Sequence, residues 1–321
     1  MTTIFQREGR MPSLAGATEW LNSEPLTGDD LQGRVVLVDF GTYTCINWLR
    51  TLPYIRAWEE KYRDVGLVVV GIQTPDFWFE QNLGSVRREV TRRGIAWPVA
   101  VDNRYEIWQA FRNRYWPALY FIDREAIIRD HHFGEGRYEP SERVIGQLLG
   151  LPPQDLVSVR GVGDEAAADW ARLNSLETYL GYERTDSFAS PGGVGRGESR
   201  FFAAPERLKL NQWGLVGKWT MRADRVVLDE AGGQILFRFH SRDVHLVLRR
   251  AQGEKPVPFR VLVDGEAPGA AHGVDVDVDG YGVLDDDRMY QLVREPGQVE
   301  ARTFAIAFHR PGVEAYVFTF G

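Results

Sequence analysis

The chain has 321 residues, 44% of them hydrophobic and 26% charged, the composition of a globular protein long enough for about two domains with separate cores. Its 38 Lys and Arg against 45 Asp and Glu leave a net charge of −7, which argues against nucleic-acid binding or a polybasic membrane surface. A single cysteine, Cys45, excludes an intramolecular disulfide, a cysteine-rich zinc site and a CxxC redox pair. No apolar run of about 18 residues predicts a membrane-spanning helix. The first ten residues carry neither the apolar stretch nor the cleavage site of a secretory signal, so a cytoplasmic protein is expected.

The β-branched apolar run 34–40 predicts a strand buried on both faces. Over 45–62 the large apolar residues Trp48, Leu52, Ile55, Trp58 and Tyr62 fall at helical spacing and mark one face of a helix opening at Cys45. Residues 67–72 predict a second buried strand, and 86–93 a charged helix stopped by Gly94. A short strand at 99–101, a short helix at 105–111 and strands at 118–122 and 127–133 follow. A last helix over 141–149 is expected to start from Ser141 as its N-cap and to stop at Gly150. Strands alternating with helices define an α/β layer with parallel pairing at its centre.

Composition changes after Gly150-Leu-Pro-Pro. A helical patch is expected near 165–173, and 187–199 is a Gly- and Ser-rich loop. Beyond it the apolar period becomes two, as in Ile235/Phe237/Phe239, Val257/Phe259/Val261/Val263 and Phe304/Ile306/Phe308. Turn signals at Asp264-Gly, Asp279-Gly and Pro311-Gly separate the runs, and together they predict an all-β sandwich.

Cys45 stands five residues beyond a buried strand and at the start of a helix. Backbone N–H groups and the helix dipole stabilise a thiolate there. A buried, inert thiol is the other account of a free cysteine. His131 and His132 lie on a predicted strand and point to opposite faces, so they form no compact metal site, and no metal or cofactor is expected. His240 and His245 flank a Ser-Arg-Asp turn, where solvent exposure or a turn hydrogen bond is expected. Asp275, Asp277 and Asp279 share a face but lack the pattern of a calcium loop, and read as a solvated hairpin. Trp213, Trp219, Tyr281 and Tyr290 could form a platform for sugar rings, although sandwich cores need large aromatics too, and Trp213 reads as a core anchor. Arg50, Arg112 and Arg114 are candidate stabilisers of a thiolate, with surface ion pairing the expected role of each.

The segment 38–53, Val-Asp-Phe-Gly-Thr-Tyr-Thr-Cys-Ile-Asn-Trp-Leu-Arg-Thr-Leu-Pro, resembles the active-site region of thioredoxin-like thiol–disulfide proteins, nearest the TlpA/redoxin group and the soluble part of DipZ-type proteins. The resemblance implies a thioredoxin-like α/β domain at 1–150, a connecting segment at 151–180 and a β-sandwich at 181–321, of jelly-roll type and similar to carbohydrate-binding modules. Asn113-Arg-Tyr-Trp-Pro-Ala, His131-His-Phe-Gly-Glu-Gly, Leu210-Asn-Gln-Trp213 and residues 269–276 extend it along the chain. It implies a buried acid at Asp39 that handles thiol protons, a helix kink at Pro53, and a cis peptide bond at Trp116-Pro117 beside the sulfur.

One position departs from the pattern. Where the family keeps its resolving cysteine, three residues after the first, this chain has Trp48. Cys45 can form a mixed disulfide that nothing else in the chain resolves. The expected activity is monothiol redox chemistry: reduction of a peroxide or of a mixed disulfide at Cys45, regenerated by an external thiol. Thr42, three residues before the cysteine, resembles the peroxide-orienting threonine of peroxiredoxins, although Val38 stands where those enzymes have proline. Asp39 and Thr42 would tune the thiol, and Trp48, Trp116 and Pro117 would shape the substrate groove. The alternative is a catalytically retired binding or scaffold protein whose sandwich recruits a protein or a glycan.

Overall fold

The computed structural model describes residues 7–251, 253 and 255–321. Residues 1–6, which carry part of the expectation about a secretory signal, lie outside them. The chain divides into two compact units between Ala166 and Ala167, so residues 151–166 fold with the first unit and 167–180 with the second.

The first unit contains β1 (Gly9–Arg10), β2 (Glu19–Leu21), β3 (Val35–Gly41), α1 (Ile46–Leu49), α2 (Leu52–Tyr62), β4 (Leu67–Gln73), α3 (Leu83–Arg92), β5 (Val99–Val101), α4 (Glu106–Ala110), β6 (Ala118–Ile122), β7 (Ile127–Phe133) and α5 (Tyr138–Leu149). Its strands run in the order β1-β7-β6-β3-β4-β5-β2. The β3-β4-β5 pairs are parallel, while β3-β6 and β6-β7 are antiparallel. Helices α2 and α5 pack on this central sheet.

Every residue of β3 is buried, as expected of a strand covered on both faces. Val36, Val38 and Phe40 join Val70, Ile72, Tyr120 and Ile122 in one core. Asp39 and Gly41 therefore face the other side of the sheet. There Trp48 of α1 packs on them, and a Cβ on Gly41 would stand 2.1 Å from the indole nitrogen. The glycine is what lets the ring lie flat on the strand.

The expected helix over 45–62 is broken into α1 and α2 by Arg50 and Thr51. Pro53 sits in the first turn of α2, where its missing N–H costs no hydrogen bond. The Thr51 hydroxyl donates to Trp48 O (2.7 Å) and closes the end of α1. Helix α5 begins at Tyr138 rather than after Ser141, because left-handed Arg137 turns the chain into it and the Ser141 N–H already donates to Arg137 O. Gly150, at φ 75°, ends it as expected. Helix α3 starts at Leu83, one turn early, because Asn82 accepts from the Ser85 N–H and supplies an N-cap.

The tail of the first unit is fastened by charge. The Val157 N–H donates to Glu142 (2.8 Å), to which Lys61 also donates (2.9 Å). Arg93, 7% exposed, makes two 2.7 Å bonds to Asp164, and Arg56 pairs with Glu165.

The second unit contains β8 (Thr178–Tyr179), β9 (Ser199–Phe202), β10 (Trp213–Met221), β11 (Val226–Leu228), β12 (Gln234–Phe239), β13 (Asp243–Arg250), β14 (Val257–Val263), β15 (Tyr281–Leu284), β16 (Arg288–Arg294), β17 (Arg302–Phe308) and β18 (Val313–Phe320). It is a β-sandwich whose two layers share β10. The first half of that strand closes the layer β15-β14-β17-β12, and the second half pairs with β9 and β11, leading on to β18, β13 and β16. Gly217, at φ 92°, stands where β10 leaves one layer for the other. The inward-facing residues of the period-two runs, with Trp213 and Trp219, form one core.

The structure decides several of the sequence readings for this unit, and Trp213 is the core anchor that was expected. Trp213, Trp219 and Tyr290 are fully buried and only Tyr281 is exposed, so the four rings make no shared sugar platform. His245 is buried, not solvent-facing, because it sits on a central strand with its ring bonded to Thr319 O and Gln291. Asp275 is tied up by Arg288 (2.7 Å) and the Gln291 N–H (2.7 Å), and Asp277 accepts two turn N–H groups. Among the described residues no three His, Cys, Asp or Glu gather as a metal site.

Gly41→Ala should lower the unfolding free energy by about 1–3 kcal/mol, the usual cost of overpacking. In a Trp48→Ala background the same change should cost less than half as much. Denaturant melts of the four variants measure this coupling.

Candidate active site

Strand β3 ends at Gly41, and the loop 42–44 delivers Cys45 to the N-cap of α1. The Cys45 N–H donates to Thr42 O (3.0 Å), which tightens the loop behind the sulfur. Helix α1 has only four residues, so the long helix expected to open at the thiol contributes a single turn. Cys45 is partly exposed, and its Sγ lies 3.9 Å from Trp116 O, within reach of a weak S–H donor.

The opposite wall is the turn into β6. Trp116-Pro117 is cis, as the sequence led one to expect. Trp116 is pinned by its indole N–H, which donates to Thr74 O (3.0 Å), and by Trp108, whose ring lies 4.2 Å away. Pro117 O accepts from the Gly134 N–H (2.8 Å). Beside it Tyr115 and Phe133, both exposed, lie 4.9 Å apart and give this wall an apolar surface.

Trp48 stands where a resolving thiol would be. Its Nε1 donates to Asp39 Oδ2 (3.0 Å), and the residue is only 7% exposed. It therefore closes the floor of the site rather than lining an open groove. Asp39 is 1% exposed, and among the described residues its Oδ1 has no hydrogen-bond partner. Burial pushes its carboxyl up to about 7, against the pull of the Trp48 N–H.

Thr42 belongs to a third group. Its hydroxyl accepts from Gln73 Nε2 (3.0 Å), and the Thr44 hydroxyl two residues on donates to Glu80 (2.6 Å), a fully buried carboxylate in the turn Trp78–Gln81. Burial pushes Glu80 up to about 7, with the hydroxyls of Thr42 and Thr44 opposing. Nothing in the sequence analysis singled it out. The available signal was an acid inside the aromatic run Phe77-Trp78-Phe79-Glu80, which needs internal donors.

The six predicted residues thus fall into three groups: Cys45 with Trp116 and Pro117, Asp39 with Trp48, and Thr42 with Gln73. Arg50, expected at the surface, is 2% exposed and pairs with Glu135 (3.0 Å), because the break after α1 turns it inward. Arg112 and Arg114 are exposed. Of the two adjacent histidines, His131 is partly exposed and pairs with Glu8 (2.7 Å), whereas His132 is buried.

A central mixed sheet with a cysteine at the end of a parallel strand and a cis-proline turn facing its sulfur defines a thioredoxin-like protein. Residues 175–321 match the family model of the thioredoxin-like C-terminal domain. DipZ of Mycobacterium tuberculosis is 35% identical over 250 residues, 75% of this chain and 35% of DipZ, so the chain spans about a third of that relative. The thiol–disulfide oxidoreductase YkuV of Bacillus subtilis is 28% identical over 43% of this chain and 93% of its own length. A solved thioredoxin-like protein in its oxidised form is 27% identical, with a TM-score of 0.41 over 46% of this chain and 97% of that one. The chain thus has a thioredoxin-like fold and is similar in sequence to thiol–disulfide proteins of that class. Among the described residues, no helix is long and apolar enough to cross a membrane.

Asp39 gives a signed stability prediction. Its folded pKa is raised from 3.8 to about 7, so the folded state holds a proton that the unfolded state loses near pH 4. Its contribution is greatest below pH 4 and declines as pH rises towards 7. Relative to wild type, Asp39→Asn should gain stability across that window, by roughly 1.4 kcal/mol per pH unit at most. Chemical melts from pH 4 to pH 8 measure the difference; one that is independent of pH would contradict the assignment.

Proposed function

We propose that the protein is a thiol oxidoreductase that works with one thiol, Cys45. The observation that supports this most is the partly exposed sulfur facing the Trp116 carbonyl beside cis-Pro117, with Trp48 in the place of a resolving thiol. The names of relatives point to the same class of chemistry: YkuV is a thiol–disulfide oxidoreductase.

In peroxide reduction, the Cys45 thiolate attacks the distal peroxide oxygen, the O–O bond breaks, and the alcohol or water leaves with a proton. The resulting sulfenic acid condenses with a small thiol to a mixed disulfide, releasing water. A second small thiol attacks the outer sulfur, returns Cys45 as the thiol and leaves as the small-molecule disulfide. Reduction of an existing mixed disulfide enters this sequence at the thiol-exchange step. Both routes consume two external thiols per turnover of peroxide, or one per turnover of mixed disulfide. Such thiols are kept reduced in the cytoplasm, so that compartment is part of the proposal. Asp39 and Thr42 act on the thiol through the floor and the loop, and the aromatic wall at Tyr115, Trp116 and Phe133 meets the substrate.

Hydrogen peroxide should give a dimedone-trappable adduct on wild type and none on Cys45→Ser. Iodoacetamide should alkylate the native protein at Cys45 alone. A native thiol that resists both reagents, in a protein that remains folded, would leave a binding role instead.

A further inference from the structure

Glu80 takes no part in the chemistry above, yet its buried carboxylate accepts three hydrogen bonds, one of them from the loop before the thiol. Oε1 accepts from the Thr44 hydroxyl (2.6 Å), and Oε2 accepts from the N–H groups of Asp76 (2.6 Å) and Phe77 (2.8 Å). The Thr42 hydroxyl, which accepts from Gln73 Nε2, also favours the charged form of Glu80. Thr42 and Thr44 are the loop that delivers Cys45, and Thr42 O holds the Cys45 N–H. The segment carrying Glu80 also holds both sides of the site: Thr74 O accepts from the Trp116 indole, and the Thr74 N–H donates to Gly41 O.

An ionised carboxylate only accepts, and here three donors converge on it. A protonated Glu80 turns one oxygen into a donor, which displaces a backbone N–H from Oε2 or reverses the bond with the Thr44 hydroxyl at Oε1. We propose that Glu80 is a positioning residue for Cys45, setting the sulfur against the Trp116 carbonyl by tying the 42–44 loop to the 74–80 segment, and doing so only as the carboxylate. This rests on the reading of Cys45 as the reactive thiol. It adds a residue outside the thiol's own contacts and a pH dependence that the thiol alone does not supply.

Burial raises Glu80 to about 7, so the change falls in the neutral range. The charged and titratable groups that act on it are few. Asp76 raises it further, and Tyr105, whose hydroxyl donates to Pro75 O, feels the same negative charge.

The test is the rate constant for iodoacetamide alkylation of native Cys45 from pH 5.5 to 9. Wild type should show a step near pH 7 besides the titration of the thiol itself. Glu80→Gln should lose that step, and at pH 8 its rate should differ from wild type by roughly 3- to 10-fold, the worth of about one hydrogen bond. Glu80→Asp, which keeps a carboxylate, should retain the step, and Asp39→Asn should leave it in place. Thr44→Val removes one donor without touching the carboxylate and should shrink the step, which keeps the proposal testable if Glu80→Gln does not fold. A reactive Cys45 whose profile is the same in wild type, Glu80→Gln and Thr44→Val would overturn this inference alone. A wild-type Cys45 that does not react would overturn both it and the proposed function.

Discussion

The hydrogen bond from the Trp48 indole to Asp39 fixes the character of this site. It joins the residue that replaced a second thiol to the acid buried beneath it, on the face of β3 that Gly41 leaves open. The ring needs the space that a Cβ on Gly41 would fill, and the carboxylate needs the N–H because burial denies it water. The three residues are therefore one packing unit. A thiol at position 48 would neither fill that volume nor give Asp39 the same donor. The indole in place of a resolving cysteine is thus part of the core, which is why the proposed cycle uses a single thiol.

Around that floor the two walls are held by different means. The cis-Pro117 turn is anchored by backbone and indole hydrogen bonds, to Thr74 and to Gly134. The loop before Cys45 is anchored by Glu80, and the break after α1 by the Arg50–Glu135 ion pair. Buried ion pairs and carboxylates seldom add much net stability, but removing one partner leaves an uncompensated charge. Here they tie the loop before Cys45 and the break after α1 to neighbouring segments of the unit.

Much of the first unit was legible in the sequence, since β3 to β6 are short apolar runs whose burial on both faces leaves a composition signal. Cys45 and Pro117 were legible through a resemblance, and the cis bond agrees with it. The α1–α2 break was not, because the apolar steps from Trp48 to Tyr62 continue across Arg50 and Thr51 at helical spacing. What ends α1 is tertiary: Trp48 is held to Asp39, the Thr51 hydroxyl bonds Trp48 O, and Arg50 turns in to Glu135. The start of α5 was missed because a left-handed arginine did what a serine cap was expected to do. Glu80 and His245 were missed for one reason: local patterns assign polar residues to the surface, and only long-range partners show that they are buried. In the sandwich the period-two runs were clear, but periodicity alone could not show that β10 crosses between layers at Gly217.

The central claim is that one thiol reacts and no second thiol in the chain releases it. Intact-protein mass spectrometry after adding one equivalent of a small-molecule disulfide reads this directly. The account predicts a single adduct on Cys45 that persists without added thiol and disappears when the small thiol is supplied. No adduct at all, in the folded wild-type protein, would contradict it.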